Sequence, residues 1–197
     1  MERHIMWLPW TGPGLEHLCL FQQQDGIIAD GLIIGVQEQR PFRARYEIHC
    51  TPHWGLRAVH VSLLSDSLPS LHLLTDGAGN WTTERGEMLP SLQGCLDVDI
   101  SVTPFTNTLP VRRLALQPGA SATLSMVYIV VPQMLIKVTQ QRYACLEVTS
   151  SGGRYRFESL KDGVSSFTAD LPVDQDQLVL DYPELFRRAG TWALGSE

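Results

Sequence analysis

The sequence predicts a mainly β chain folded as one domain over residues 1–197, and three observations carry that expectation. Segment after segment alternates apolar with polar residues or runs through β-branched and aromatic ones. The separators are short, and "QDG" (24–26), "TDGAGN" (75–80) and "SSGGR" (150–154) supply the positive φ that tight antiparallel turns require. Helical signals are confined to two brief stretches. With 44% hydrophobic and 18% charged residues, the chain has ample apolar material for a core.

Taken in order, the expected strands are "LEHLCLFQQ" (15–23), "GIIADGLIIGVQ" (26–37), "FRARYEIHC" (42–50), "LRAVHVSLL" (56–64) and "SLHLLTD" (70–76). They continue with "LDVDISV" (96–102), "SATLSMVYIVVP" (121–132), "LIKVTQQRYACLEVT" (135–149), "RYRFESL" (154–160) and "SSFTADLPV" (165–173). "IIADGLIIGV" and "MVYIVV" are apolar at every position but a few, the pattern of strands covered on both faces. The segment "PELFRRAG" after Pro183 reads as a short helical turn, with Arg187 and Arg188 near its carboxyl end and Gly190 as a stop.

The stretch "GCLDVDISVTPFTNTLPVRRLAL" (94–116) changes character midway. Leu96, Val98, Ile100 and Val102 share one face of a strand, Asp97, Asp99, Ser101 and Thr103 the other, and Thr103-Pro104 breaks it. Thr106 or Asn107 can cap a helix start, and Pro110 in the first turn needs no donor. A helix over about 107–116 follows, with Leu109, Val111, Leu114 and Leu116 as its apolar surface.

Charge and motifs exclude several functions. Acidic residues outnumber basic ones 21 to 15, for a net charge of -6, and the basic ones are scattered, which argues against nucleic-acid binding. The start "MERHIMWLPWTG" has neither the apolar core of a secretory signal nor the length of a membrane span, so a cytoplasmic protein is expected. Cys19, Cys50, Cys95 and Cys145 form no C-x-x-C pair, and free, mostly buried thiols are expected. His49, His53, His60 and His72 lack any metal-ligand spacing, so no metal is expected. There is no nucleophile elbow, the Gly-x-Gly of "DGAG" is only a turn, and no cofactor is expected.

Three polar groupings bear weighing. Asp97 and Asp99 on one strand face could do acid–base work or bind a cation, or could hold Arg112 and Arg113 in ion pairs that orient the helix. Glu16-His17 offers a general base in His17, although strand neighbours point to opposite faces. Trp54, Arg57, Trp81, Tyr128, Tyr143, Tyr155 and Tyr182 could stack on sugars, border an acyl cavity and bind an anionic headgroup, or simply fill a core.

The 94–114 run, with "GLEHL", "ADGLIIG", Trp54-x-x-Arg57 in "HWGLRAV", "TDGAGNW" and "LVLDYPELFRR", resembles the bacterial family named Putative glycolipid-binding. That resemblance implies a spiral β-roll, a many-stranded antiparallel sheet wound around a single α-helix, in a homodimer. It implies non-catalytic binding of an amphipathic ligand of glycolipid type, for which Trp54, Arg57, Trp81, Tyr128 and Tyr143 are the candidate contacts. Asp97, Asp99, Thr106, Asn107, Arg112 and Arg113 form the polar centre of the family motif, with a structural role favoured. An enzyme using Asp97, Asp99, His17 and Arg112, and a dimeric scaffold without ligand, stand as alternatives.

Overall fold

Fourteen strands and one short helix make up the fold, described by a computed structural model for residues 2–64 and 69–194. One sheet has nine antiparallel strands: Glu2–Pro9 (β1), Gly14–Gln22 (β2), Ile27–Gln37 (β3), Arg40–Cys50 (β4), Leu56–Leu63 (β5), Ser70–Thr75 (β6), Trp81–Thr83 (β7), Asp181–Tyr182 (β13) and Phe186–Leu194 (β14). Their order is β13-β14-β1-β2-β3-β4-β5-β6-β7, so β14 joins the meander beside β1. The second sheet, in the order β12-β11-β10-β9-β8, comprises Asp97–Ile100 (β8), Ser121–Val130 (β9), Leu135–Thr149 (β10), Gly152–Lys161 (β11) and Val164–Asp174 (β12).

The break in the 94–116 stretch follows from topology. β8 and β9 are parallel, and parallel neighbours cannot be joined by a hairpin; the chain must cross over, as a rule through a helix. That crossover is a 3-10 turn at Phe105–Asn107 leading into Thr108–Leu114 (α1). Neither Thr106 nor Asn107 caps α1 through its side chain, because the 3-10 turn runs directly into the helix and Thr106 is drawn to Asp99 instead.

The strands thus divide between two sheets rather than forming one, and α1 lies where their cores meet. Leu109 belongs to the larger core, as do Ile5, Leu18, Trp81, Ile100 and Val127, whereas Val111 belongs to the smaller, with Tyr143, Tyr155, Phe157 and Leu171. Thr108, Leu109, Pro110 and Val111 are buried, and the two arginines emerge from the last turn.

Two local expectations are corrected. "PELFRRAG" is not helical: residues 186–190 lie in β14, because ladder bonds to β1 outweigh a helical preference worth only tenths of a kcal/mol per residue. β3 is not covered on both faces either, since Leu32, Ile34 and Val36 point outward and are exposed. "MVYIVV" does match its reading, with Met126, Val127, Ile129 and Val131 all buried.

Candidate functional site

The polar residues of the 97–113 segment work mainly on one another and on the sheets. Asp97, fully buried at the start of β8, receives a fork from Arg113, with Nη2 at 2.5 Å from Oδ2 and Nε at 3.1 and 3.2 Å from the two oxygens. Burial still pushes the Asp97 carboxyl above the usual carboxylate range, against the opposing pull of Arg113. Asp99 accepts from the Thr106 hydroxyl at 2.9 Å and from Gln141 Nε2 at 2.6 Å, and burial raises it likewise. Asn107 Oδ1 and Gln141 Oε1 both lie within hydrogen-bond reach of the buried Tyr143 hydroxyl, at 2.9 and 3.1 Å.

The pairing of Arg112 with the strand carboxylates does not occur. Consecutive residues on a helix diverge by about 100°, so Arg112 leaves the other side of α1. There its guanidinium lies 4.7 Å above the Trp54 ring and donates to the Asp176 carbonyl at 3.1 Å.

The candidate ligand contacts also divide. Trp54 and Trp81 are buried in the larger core, Trp81 donating to the Cys95 carbonyl at 2.8 Å, and Tyr143 is fully buried beside α1. Arg57 is on the surface, donating to the Asp76 carbonyl. Tyr128 alone of these five lines the large cavities between the sheets. Tyr182 lines the second of them and Tyr155 neither.

The larger cavity is a cleft of about 470 Å³ at one end of the sandwich, bounded by β1 to β4, the Ser101–Val102 turn, β9 and the start of β14. Trp7, Ile33, Phe42, Val102 and Val130 line it beside the polar Thr11, Gln37, Ser101 and Gln133. Set among them is Glu16, 2% exposed. β2 alternates strictly, so Glu16, Leu18 and Leu20 face inward and His17 and Cys19 outward.

One oxygen of Glu16 is well served. Oε1 accepts from the Tyr46 and Thr103 hydroxyls, each at 2.6 Å, while Oε2 is buried without a hydrogen-bond partner in the protein. Both donors are held in place. The Tyr46 ring lies directly over Gly31 on the adjacent strand, where a Cβ would come within 2.1 Å of it, and Thr103 Oγ1 also accepts from the Phe105 amide at 3.0 Å. Burial outweighs the two hydroxyls and raises the Glu16 pKa to about 7. A carboxyl so poised is part acid and part carboxylate at neutral pH, able to donate to or accept from a ligand oxygen.

A second cavity of about 340 Å³ adjoins the first, with Ser101, Tyr128, Leu185 and Phe186 lining both. Asp99, Asn107, Lys137 and Gln141 line it together with Phe157, Phe167, Tyr182 and Phe186. Those four rings cluster about Tyr182, with centroid separations from it of 5.8 Å to Phe157, 6.1 Å to Phe167 and 6.4 Å to Phe186.

Sequence reasoning passed over Glu16 in favour of its neighbour. An acidic residue at an inward position of a clean alternation was the available signal. His17 lies on the outer face of the sheet, Asp97 is locked to Arg113 and Arg112 lies on Trp54, so the residues named for an enzyme do not converge. Among the described residues no helix is long and apolar enough to cross a membrane.

Comparison with known proteins accords with this architecture. The family described as Putative glycolipid-binding matches residues 4–188. The chain belongs to that family. A DUF1089 family protein from Pseudomonas aeruginosa, known from a crystal structure, is similar at 36% identity and a TM-score of 0.78, covering 91% of this chain and 95% of its own. A β-barrel-like protein of domain of unknown function DUF1849 from Brucella abortus shares the fold alone, at 8% identity and a TM-score of 0.54 over 96% and 95% of the two chains. No curated protein matches the chain.

Proposed function

We propose that this family member holds an amphipathic molecule of the glycolipid class between its sheets. The observation that carries the reading is a pair of joined cavities, each lined by apolar and hydrogen-bonding residues together, the smaller with four aromatic rings among them. Sugars are commonly bound by stacking on rings while their hydroxyls meet amides and carboxylates, and acyl chains by apolar side chains. Tyr128 stands at the junction, and Glu16 is among the polar residues that line the larger cleft. Each volume falls in the roughly 300–1,000 Å³ range of small-molecule sites.

In this reading the two sheets, facing each other across α1, are successive turns of a spiral β-roll, and the cavities are the gap between turns. The exposed Leu32, Ile34 and Val36 of β3 support the homodimer that belongs to the same proposal. Sedimentation at micromolar concentration tests it: twice the chain mass of 22.0 kDa is expected, and a clean monomer argues against it.

Titration with fluorescent fatty acids and short-chain glycolipids tests the binding reading. Saturable binding is expected, weakened at least tenfold by Phe42→Arg in the larger cleft and by Tyr128→Ala at the junction. No saturable binding below about 100 μM, or roughly -5.5 kcal/mol, overturns it. The near-neutral Glu16 favours a second reading, proton transfer to or from the bound molecule. Mass spectrometry of incubated glycolipids decides: new products formed by the unaltered protein and lost in Glu16→Gln would move the function to catalysis.

A further inference from the structure

The outer face of the nine-stranded sheet carries a second polar cluster, independent of the cleft. His4 on β1 and Cys19 on β2 are direct cross-strand partners, and His17 precedes Cys19 by two positions, so all three side chains leave the same face. His4 Nδ1 lies 3.0 Å from His17 Nε2, and Cys19 Sγ lies 3.2 Å from the first and 3.7 Å from the second. Each side chain is half-buried, and each turns its ligating atom toward the other two.

These separations are the edges of a coordination polyhedron. Zinc bonds of about 2.05 Å to nitrogen and 2.3 Å to sulfur, at tetrahedral angles, require edges of roughly 3.3 Å between nitrogens and 3.6 Å between nitrogen and sulfur. The two nitrogen–sulfur distances, 3.2 and 3.7 Å, bracket the second value, and the nitrogen–nitrogen distance, 3.0 Å, lies just below the first. We propose that His4, His17 and Cys19 form a binding site for a borderline-soft divalent transition-metal ion, zinc above all, with a fourth position open to solvent.

The surroundings support the assignment. Glu2 Oε1 lies 3.0 Å from His4 Nε2, which fixes the ring proton on Nε2 and leaves the Nδ1 lone pair directed at the site, the carboxylate–histidine arrangement common behind metal ligands. Asp30 is the cross-strand partner of Cys19 on the far side and is held by a bidentate Arg45, both bonds at 2.8 Å. Negative charge from Glu2 therefore adjoins the trio on one side, while on the other the charge of Asp30 is matched by Arg45. Two nitrogens and a thiolate suit zinc and its neighbours rather than magnesium or calcium, and three protein ligands leave the position that exchangeable and catalytic sites keep for water or substrate.

Two other histidine groupings on this face serve as controls. The cross-strand row continues from Cys19 through Asp30 and Glu47 to His60 and His72, and His49 bonds Glu47 at 2.6 Å. These pairs lack a thiolate.

The test adds Co²⁺ to the unaltered, reduced protein and reads the near-ultraviolet thiolate-to-cobalt charge-transfer band. Zn²⁺ affinity is then measured by competition with a chromophoric chelator. One equivalent bound with a Kd below about 1 μM is expected, together with the charge-transfer band. Cys19→Ser should remove the band, Cys19→Ser and His17→Ala should each weaken Zn²⁺ at least 100-fold, Glu2→Gln should weaken it about tenfold, and His60→Ala should change nothing. Absence of the band in the unaltered protein overturns the proposal without reliance on any variant. Zinc binding that survives both Cys19→Ser and His17→Ala overturns it equally, because the ion would then sit elsewhere; the metal-free melting temperature of each variant, compared with the parent, confirms that its fold is retained.

Discussion

Asp97 and Glu16 are both shut away from solvent, at 0% and 2% exposure, yet the fold treats them differently. Asp97 receives a charged fork from Arg113. Glu16 receives two neutral hydroxyls, both on one oxygen, and keeps the other free of protein partners. A buried ion pair orients the elements that carry it, and here it pins α1 to β8. A buried carboxyl without a cation gives up its charge near neutrality. The first arrangement holds the crossover in place; the second leaves a titratable group among the residues that line the larger cleft.

The contrast is broken most severely at Arg113. Arg113→Met leaves Asp97 buried without its cation and should cost about 3–5 kcal/mol in urea denaturation. The double variant Arg113→Met with Asp97→Leu should recover most of that loss, since removing both charges also removes the desolvation cost. If the single and double variants lose equally, the pair is not what fastens the helix.

The next effect is read in pH. The Glu16 pKa rises from 4.5 in the unfolded chain to about 7 in the folded one, so between these values the folded state binds the extra proton. Stability from this group is fully present below about pH 4.5 and lost as pH rises through about 7, a fall of about 3 kcal/mol. Asp97 and Asp99 are also raised and act in the same sense, so the informative quantity is the difference between the parent and Glu16→Gln. That variant should show a shallower decline across pH 5–8; an unchanged slope would mean that Glu16 titrates normally.

Gly31→Ala should cost about 1–3 kcal/mol, because a methyl there displaces the Tyr46 ring and with it a donor to Glu16. The same change should flatten the Glu16 titration less than Glu16→Gln does. The smallest effect is expected at Arg112, whose substitution by Met gives up a cation–π contact with Trp54 and one bond to a carbonyl and strands no carboxylate. About 1 kcal/mol is expected; a loss as large as that of Arg113→Met would mean that the two arginines share one role.

Much of this was legible beforehand, and the reasons are local. All ten strands expected from alternation are present, from β2 to β12 with β7 excepted, because a strand with one buried face writes its period directly into the sequence. Asp97 and Arg113 could be matched because only 16 positions and one crossover separate them. β14 was hidden because Arg187, Arg188 and Gly190 imitate a helix end, and only its register with β1 shows otherwise. The Glu16 site was hidden for a related reason: one donor is 30 positions away and the other 87, brought in by sheet register and by a turn between sheets. The histidine and cysteine trio escaped notice because its spacing is that of two paired strands, not of a single loop or helix.

The seam between β1 and β14 has a consequence for how the molecule is made. β1 finds β2 at once across a short turn, but its other edge waits for Phe186–Leu194, which leaves the ribosome on the order of ten seconds or more later. Through that interval the growing chain carries an open strand edge in the middle of what becomes a nine-stranded sheet, able to pair with the same edge of another nascent copy. Crowded translation, rather than any weakness of the finished core, is where this protein is most exposed to misassembly.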